Sequence, residues 1–290
     1  MKISGFTFVR NAVKYDYPVV ESITSILSIV DEFVVSVGNS EDNTLQLIQS
    51  IPSSKIRIVH SIWDDTLREG GKVLAVETDK AFTKISPDSD WAFYLQADEV
   101  VHEKYFDTII QNAKMNLENL KVEGLLFKYL HFYGTYDYVG DSRRWYNREI
   151  RLIRNDTSIR SYKDAQGFRK DGRKLNVKLI DAYIYHYGWV KNPAQQKHKV
   201  EDFHIYWSND QQVRFQREQH ELFDYMKDAD ILKKFEETHP AVMQKRINKK
   251  NWDIDFNLSR KKLSLKDSLL HKIEKITGKR LFDYKNYHII

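Results

Sequence analysis

The 290-residue chain contains no cysteine and has only 11 glycines and 5 prolines. The absence of cysteine excludes disulfides, Cys-ligated zinc, iron–sulfur sites and thiol nucleophiles. Few glycines and prolines argue against long flexible linkers. No run approaches the ~18 consecutive apolar residues of a membrane span, and residues 1–6 lack the apolar stretch of a secretory leader. We therefore expect a globular protein of the cytoplasm.

Positive charge is concentrated near the C-terminus rather than spread along the chain. The whole chain has 46 Lys and Arg against 41 Asp and Glu, a net charge of +5. Residues 245–290 hold 13 basic and 5 acidic residues, a net charge of 13 − 5 = +8, so the other 244 residues carry −3. No nucleic-acid-binding motif accompanies the basic segment, and we expect no specific nucleic-acid partner. Docking on the rest of the chain and peripheral contact with an anionic inner-membrane surface both stay open for this segment.

Short apolar runs alternate with helix-period stretches in the first hundred residues, a pattern typical of βαβ units. The apolar runs predict strands at 3–9, 33–37, 56–59 and 91–96, and the stretches between them predict helices at 18–30 and 70–85. Beyond residue 98 the patterns predict a helix at 102–117, strands at 122–129, 149–154 and 176–187, and helical structure from 193 to about 226. Apolar residues at helical spacing predict an amphipathic helix at 264–276. The fold class is therefore α/β with a helical C-terminal segment.

Polar residues follow three of the predicted strands at the point where each strand ends. They are Arg10 and Asn11 after the first strand, residues 39–44 after the second, and Gln96 to Glu99 after the fourth. Ligands of open α/β sheets bind outside the carboxyl ends of the strands, so these loops are the expected site. No G-x-G-x-x-G motif follows a strand, and residues 70–73 lack the remainder of a P-loop. The sequence therefore does not support a dinucleotide-dependent enzyme or a P-loop enzyme.

The acidic pair Asp98 and Glu99 has two possible roles. Carboxylate oxygens at the end of a buried strand suit Mg²⁺ or Mn²⁺ bridging phosphates. Alternatively, Asp98 caps the N-terminus of the helix predicted to follow. Cationic side chains at Lys72, Arg143, Arg144, Arg148 and Arg151 are expected either at phosphates or on the surface.

The order of these motifs resembles that of the family-2 glycosyltransferases of the GT-A fold. The resemblance rests on Arg10-Asn11, on the segments 31–35 and 38–44, and on the D-W-x-x-x-L-x-A-D-E segment at 90–99. It is most similar to the branch that includes lipopolysaccharide-core transferases. The resemblance implies a mixed Rossmann-like sheet flanked by helices over residues 1–190, with a nucleotide-binding half at about 1–100 and an acceptor half at about 101–190. Residues 191–290 then form a helical, basic C-terminal extension.

The resemblance also implies an activity, namely inverting, metal-dependent transfer of a sugar, such as a hexosyl group, from a nucleotide sugar. The acceptor is the hydroxyl of a glycan, a lipid-linked glycan or another glycoconjugate, and the cofactor is Mn²⁺ or Mg²⁺ on the donor diphosphate. Gln96 stands where the first Asp of the D-x-D motif of the family lies. The residues expected to contact the nucleotide sugar are Arg10, Asn11, Asn39, Ser40, Asp42, Lys72, Gln96 and Asp98.

Three further side chains have expected roles in this chemistry. Asp98, with Glu99 and His186, is expected to hold the metal, because a neutral imidazole also suits Mn²⁺. Asp164 falls where inverting members of the family carry the base that deprotonates the acceptor hydroxyl. The alternatives are a packed, hydrogen-bonded role for His186 and a turn or helix-cap role for Asp164. Aromatic residues between 129 and 146 suit either a sugar-stacking groove or the core.

Two other functions stay open at this point. A nucleotidyltransferase on a related sheet would release diphosphate instead of a nucleoside diphosphate. A nucleic-acid or membrane-surface binding module would act through the basic C-terminal segment, and its affinity would fall steeply with salt. The sequence does not predict an oligomeric state.

Overall fold

The structure is a computed structural model that describes residues 1–67, 69–203, 222–259 and 263–290. Its first half is a parallel sheet in the order β3-β2-β1-β4. The strands are β1 (Ile3–Val9), β2 (Glu32–Val37), β3 (Ile56–His60) and β4 (Trp91–Tyr94), and the helices between them are α1 (Val19–Thr24), α2 (Thr44–Gln49) and α3 (Lys72–Phe82). All four predicted strands are confirmed. The near-continuous apolar runs of β1, β2 and β4 are typical of strands covered on both faces.

The second half continues the same sheet with strands of both directions. The path runs on from β4 as β8-β6-β11-β10-β9, with β8 antiparallel to β4 and β6 while β11 is parallel to β6. The elements are β5 (Glu99–Val101), α4 (Phe106–Met115), β6 (Gly124–Tyr133), β7 (Tyr138–Gly140), β8 (Arg148–Arg154), β9 (Ile159–Tyr162), β10 (Gly167–Lys170) and β11 (Arg173–Trp189). The predicted α/β fold class, a mixed Rossmann-like sheet flanked by helices, is confirmed.

The C-terminal part contains helices and also two strands that the sequence patterns did not predict. Its elements are α5 (Pro193–Phe203), α6 (Tyr225–Asp228), β12 (Leu232–Lys234), α7 (Gln244–Asn248), α8 (Leu265–Thr277) and β13 (Tyr287–Ile289). Strand β12 pairs with β7, and β13 pairs with β11, so the C-terminal part extends the main sheet. The predicted helical structure at 204–221 lies outside the described residues. The division into domains at residue 190 stays a prediction.

Helix α8 matches the amphipathic helix predicted at 264–276. It is joined to the loop after β7 by ion pairs from Glu274 to Arg143 (2.8 Å) and from Lys275 to Asp141 (2.7 Å). Several of its apolar side chains are nevertheless exposed, Leu265 by 93% and Ile276 by 84%. Among the described residues no helix combines the length and the apolar character that crossing a membrane requires. Peripheral membrane contact stays a prediction.

The core lies on both faces of the parallel strands. Helices α1, α2 and α4 cover one face, where Ile23, Phe33 and Ile109 are fully buried. Helix α3 covers the other face, where Phe82 packs on Phe6 with ring centroids 5.3 Å apart.

One predicted helix is shorter in the structure than its apolar pattern indicated. The stretch predicted at 18–30 is helical only to Thr24 and continues as turns to residue 29. The hydroxyls of Thr24 and Ser25 donate hydrogen bonds to the carbonyls of Val20 and Ser22. Such local bonds compete with the helix ladder and explain why the regular helix ends early.

Candidate functional site

An open cleft with a cavity volume of about 120 Å³ lies where β1 and β4 end. This is the edge of the sheet at which parallel α/β folds bind ligands. Three of the predicted contacts lie together in its lining, namely Arg10, Gln96 and Asp98. The full lining is Phe8, Val9, Arg10, Tyr15, Tyr17, Trp63, Leu74, Gln96, Ala97, Asp98 and Lys199.

Aromatic side chains that the sequence analysis missed form one wall of this cleft. Trp63 packs on Phe8 with ring centroids 5.6 Å apart, and the Arg10 guanidinium lies 5.6 Å from the Trp63 ring centre. A Cβ on Gly38 would lie 2.4 Å from Nε1 of Trp63, so only glycine lets the indole approach the end of β2. Trp63 sits in a loop after β3 without any motif, so no pattern in the sequence singled it out.

Asn11 and Ser40, two of the predicted contacts after β1 and β2, hold the loops together and lie outside the cleft lining. The Asn11 side-chain oxygen accepts a hydrogen bond from the backbone N–H of Glu41 (2.8 Å), and the backbone N–H of Asn11 donates to Ser40 Oγ (3.1 Å). Asn11 has a φ of +56°, a left-handed conformation that Asn adopts more readily than most residues. These bonds tie the loop after β1 to the loop after β2.

Asp42 and Asn39 are placed in the same supporting way. Asp42 accepts a hydrogen bond from the Lys14 amide (2.7 Å), and the Asn39 side chain accepts one from the Trp63 amide (3.2 Å). Lys72 begins α3 and is exposed outside the cleft lining. The structure therefore places these predicted contacts around the cleft and not in its wall.

Glu99 and Arg151 form a buried ion pair beneath the cleft. Arg151 donates two hydrogen bonds to the Glu99 carboxylate, at 2.8 and 2.7 Å, and Tyr129 donates a third at 2.8 Å. Both side chains are at most 1% exposed. The structure thus does not bring Glu99 into the cleft with Asp98, and Arg151 is neither a surface cation nor part of the cleft lining.

Asp98 is the one acidic residue among the described residues that line the cleft. Its carboxylate lies 3.4 Å from Nζ of Lys199 and 3.7 Å from Nε2 of His186. Burial raises the pKa of Asp98, but Lys199, His186 and Lys191 outweigh burial and lower the pKa to about 2. Asp98 is therefore ionised at neutral pH. Strand β5 follows it directly, which corrects the alternative that Asp98 caps a helix.

His186 and Asp98 form a narrow cradle at the end of β11. A Cβ on Gly188 would lie 2.6 Å from Asp98 Oδ2 and 2.8 Å from His186 Nε2, so any side chain there would fill the space beside both atoms. Burial lowers the pKa of His186, although Asp98 acts in the opposite direction, so the imidazole is neutral at pH 7.

The residues of this cradle fit a divalent cation of the kind the sequence predicts. A carboxylate oxygen and a neutral imidazole nitrogen are ligands that Mn²⁺ accepts. Within the described parts of the chain, no three His, Cys, Asp or Glu side chains converge as a complete metal site. A cation held here would take its remaining ligands from a diphosphate and from water, which is how Mg²⁺ is commonly bound beside nucleotides.

Two lysines, the buried Lys191 and the half-buried Lys199, lie next to the cradle and were missed by the sequence analysis. Lys199 on α5 donates to the Gly188 carbonyl (2.9 Å), and Lys191 donates to the Asp16 carbonyl (2.8 Å). Burial lowers the pKa of both lysines, that of Lys191 far below its ordinary value. Both residues follow the segment that resembles the glycosyltransferases, so the motif comparison did not reach them.

Asp164 and Glu149 are two further acidic residues that interact electrostatically. Asp164 lies in the turn between β9 and β10, and burial raises its pKa. The Gln96 side chain donates to the Ala165 carbonyl (3.4 Å), which places this turn beside the cleft. Glu149 is 3% exposed, and its Oε2 has no hydrogen-bond partner among the described residues. Burial raises the pKa of Glu149 to about 8, and the charge on Asp164 contributes to the shift.

Replacing Glu149 with glutamine is expected to flatten the pH dependence of stability. The folded protein holds this proton up to about pH 8, whereas the unfolded chain releases it near the ordinary pKa of 4.5. In wild type the raised pKa of Glu149 therefore contributes fully to the free energy of unfolding below about pH 4.5. This contribution is lost as the pH rises through about 8, a change on the order of a few kcal/mol.

Urea unfolding across this pH range measures the effect. Glu149→Gln should match wild type in acid and exceed it at alkaline pH, and the exposed control Glu118→Gln should follow wild type throughout. Parallel curves for Glu149→Gln and wild type would contradict the prediction.

Comparisons with known proteins add little to this geometry. No family model matches the chain, and a search of curated proteins gives no match. Among solved structures, Staphylococcus aureus TarS residues 1–349 in complex with UDP is 15% identical with a TM-score of 0.41, covering 71% of this chain and 65% of that one. The chain spans only 39% of the longer TarS structure.

Two other solved structures are similar at the same low level. The 4-diphosphocytidyl-2C-methyl-D-erythritol synthase of Anaerococcus prevotii is 12% identical with a TM-score of 0.39, covering 74% of this chain and 94% of that one. The glucosyl-3-phosphoglycerate synthase of Mycobacterium tuberculosis, in complex with Mn²⁺, UDP and glucosyl-3-phosphoglycerate, is 18% identical with a TM-score of 0.30, covering 46% and 45%. With TM-scores below 0.5, none of these likenesses determines the chemistry of this chain.

Proposed function

We propose that this protein is a GT-A-type glycosyltransferase of the family-2 kind. It transfers a sugar, such as a hexosyl group, from a nucleotide sugar to a hydroxyl of a glycan, a lipid-linked glycan or another glycoconjugate. The observation that carries the proposal is the cradle in which ionised Asp98 and neutral His186 face each other 3.7 Å apart at the carboxyl edge of the sheet. The motif order at residues 10–11, 38–44 and 90–99 supports the same function.

Asp98 and His186 would hold the divalent cation, which supplies positive charge to the departing nucleoside diphosphate. Lys199 adds a second cationic group beside the same edge of the cleft. Arg10 lies over Trp63 at the other wall, where an aromatic ring and a guanidinium suit the base and phosphate of a nucleotide. The buried Arg151–Glu99 pair supports this arrangement from below.

Asp164 is the proposed base that takes the proton from the acceptor hydroxyl. Its turn lies beside Gln96, and burial raises its pKa toward neutrality, which favours proton acceptance. Direct attack by a hydroxyl activated in this way is a single displacement, and a single displacement inverts the configuration of the sugar carbon. Glu149, whose pKa is about 8, stays protonated at pH 7 and is a poorer base.

The product formed from the donor tests the proposal. Wild type with Mn²⁺ and a panel of nucleotide sugars should release a nucleoside diphosphate, detected by phosphorus NMR during slow donor hydrolysis. Asp164→Asn should lower this turnover by about 10²- to 10⁴-fold, because a general base contributes rate on that scale. Nucleotide binding by this variant should be unchanged.

Asp171→Asn is the matched control, because Asp171 is an exposed aspartate in the next turn, between β10 and β11. It should retain wild-type turnover. Release of inorganic diphosphate from a nucleoside triphosphate supplied with a sugar phosphate would identify a nucleotidyltransferase instead. An unchanged rate in Asp164→Asn would remove Asp164 from the mechanism.

A further inference from the structure

A chain of hydrogen bonds links the metal cradle to a second histidine, His131 on β6. Nε2 of His131 lies 2.7 Å from the backbone carbonyl oxygen of Tyr146. A carbonyl oxygen can only accept a hydrogen bond, so Nε2 of His131 must carry a hydrogen. This contact therefore places one hydrogen of the hydrogen-bonded series on Nε2 of His131.

The second contact joins the two imidazoles. Nδ1 of His131 lies 3.1 Å from Nδ1 of His186, and one of these nitrogens must donate to the other. His131 is 3% exposed and is stacked between Tyr129 and Trp145, with ring centroids 5.4 and 5.2 Å away. Burial among apolar rings disfavours an imidazolium, so His131 is neutral and its Nδ1 has a lone pair. The donor is therefore Nδ1 of His186.

The third step follows from the chemistry of a neutral imidazole. With its hydrogen on Nδ1, His186 has a bare lone pair on Nε2. That nitrogen faces Asp98 Oδ1 at 3.7 Å, so two electron-rich atoms oppose each other with no hydrogen between them. The opposite tautomer would point the Nε2 hydrogen of His186 toward Asp98, but it would place two lone pairs against each other between the imidazoles.

We propose that His131 is a positioning residue that, with the Tyr146 carbonyl, fixes His186 in the tautomer whose Nε2 binds the divalent cation. The inference rests on the proposed function and deepens it, because it assigns the ligand atom and the group that selects it. Hydrogen bonds from outer residues commonly orient metal-ligating histidines in this way. His131 itself does not touch the cation.

Two variants of His131 separate this role from a purely structural one. His131→Phe keeps an aromatic ring between Tyr129 and Trp145 but removes both nitrogens. His131→Asn restores an oxygen acceptor near the position of Nδ1. His239→Phe is the matched control, because His239 also packs among aromatic rings, 5.0 Å from Phe132, and lies outside the cleft lining.

Two measurements apply to each protein. Nitrogen-15 NMR of the metal-free protein reports which nitrogen of His186 carries the hydrogen. Calorimetric titration with MnCl₂, alone and with uridine, guanosine, adenosine or cytidine diphosphate, reports cation affinity. We expect the hydrogen on Nδ1 in wild type, His131→Asn and His239→Phe. We expect loss of that preference in His131→Phe, with Mn²⁺ affinity lower by about 10- to 100-fold.

The possible outcomes are distinct. A hydrogen on Nε2 of His186 in wild type, or wild-type affinity in His131→Phe, overturns the positioning role alone and leaves the proposed function standing. A wild type that binds no Mn²⁺ with any nucleoside diphosphate overturns the proposed function together with the ligand role of His186. Recovery of both the tautomer and the affinity in His131→Asn supports the proposal, because a folding defect would not be rescued by one acceptor atom.

Discussion

Asp98→Asn is expected to lower donor turnover by at least about 10²- to 10³-fold and to remove Mn²⁺-dependent binding of nucleoside diphosphates. Asparagine keeps the size of the side chain but removes the charge that a divalent cation requires, and losing one fixed electrostatic group at a reacting centre has effects of this size. Among the described residues of the cleft lining, no other carboxylate can replace it.

Calorimetric titration of Mn²⁺ with nucleoside diphosphates and phosphorus NMR of the products measure the loss. Circular dichroism checks that the variant is folded. The control is Asp181→Asn, which removes an 81% exposed carboxylate that pairs with Lys128 at 2.7 Å, and it should behave as wild type. Full turnover in Asp98→Asn would contradict the metal-dependent mechanism.

Gly188→Ala tests the same cradle without changing any charge. Its Cβ would lie within 2.6 to 2.8 Å of Asp98 Oδ2 and His186 Nε2, where a cation and its ligands need room. We expect Mn²⁺ affinity to fall with Gly188→Ala while the charges of Asp98 and His186 remain. Agreement between the two variants would locate the cation between these side chains.

The second large effect is expected on stability, from Glu99→Ala. Glu99 and Arg151 are buried together, and the guanidinium also lies 5.2 and 5.4 Å from the ring centres of Tyr94 and Tyr129. Removing the carboxylate leaves Arg151 charged and buried without its counter-ion. Breaking one partner of a buried ion pair costs about 3–5 kcal/mol, so we expect a loss of this size in the free energy of unfolding.

Urea unfolding measures this loss, and a double variant explains it. Glu99→Leu with Arg151→Met removes both charges and should be much less destabilising than Glu99→Ala, because no buried charge is left uncompensated. Lys128→Met, which breaks the exposed pair with Asp181, should cost less than about 1 kcal/mol. If Glu99→Ala instead keeps wild-type stability and loses Mn²⁺ affinity, Glu99 is a metal ligand and not a structural partner.

Several elements could be predicted from the sequence because their signals are local. The buried strand β1 was predicted at residues 3–9 and matches Ile3–Val9, since a continuous apolar run has few other uses. Helix α8 was predicted within one residue at each end from apolar spacing alone. The edge of the sheet that holds the cleft also followed from the order of strands and polar loops.

The short strands β9, β10, β12 and β13 could not be predicted in the same way. They have three or four residues each, too few to show a period, and they exist because longer strands offer them backbone partners. Lys199 and Glu149 were missed for a related reason. Each is an ordinary charged residue in sequence, and only burial beside a distant group, Asp98 for Lys199 and Asp164 for Glu149, makes it notable.

The sequence by itself determined the α/β class, the parallel strands and the place where polar loops gather, because hydrophobic periodicity and strand order are properties of neighbouring residues. Only the tertiary structure decided which of the two adjacent carboxylates, Asp98 or Glu99, lies in the cleft. Asp98 enters the cleft beside His186, whereas Glu99 begins β5 and turns into the interior onto Arg151. Asp98 lies in the turn before β5 and Glu99 in the strand itself, and partners from distant strands determine which of them binds a ligand and which holds the fold.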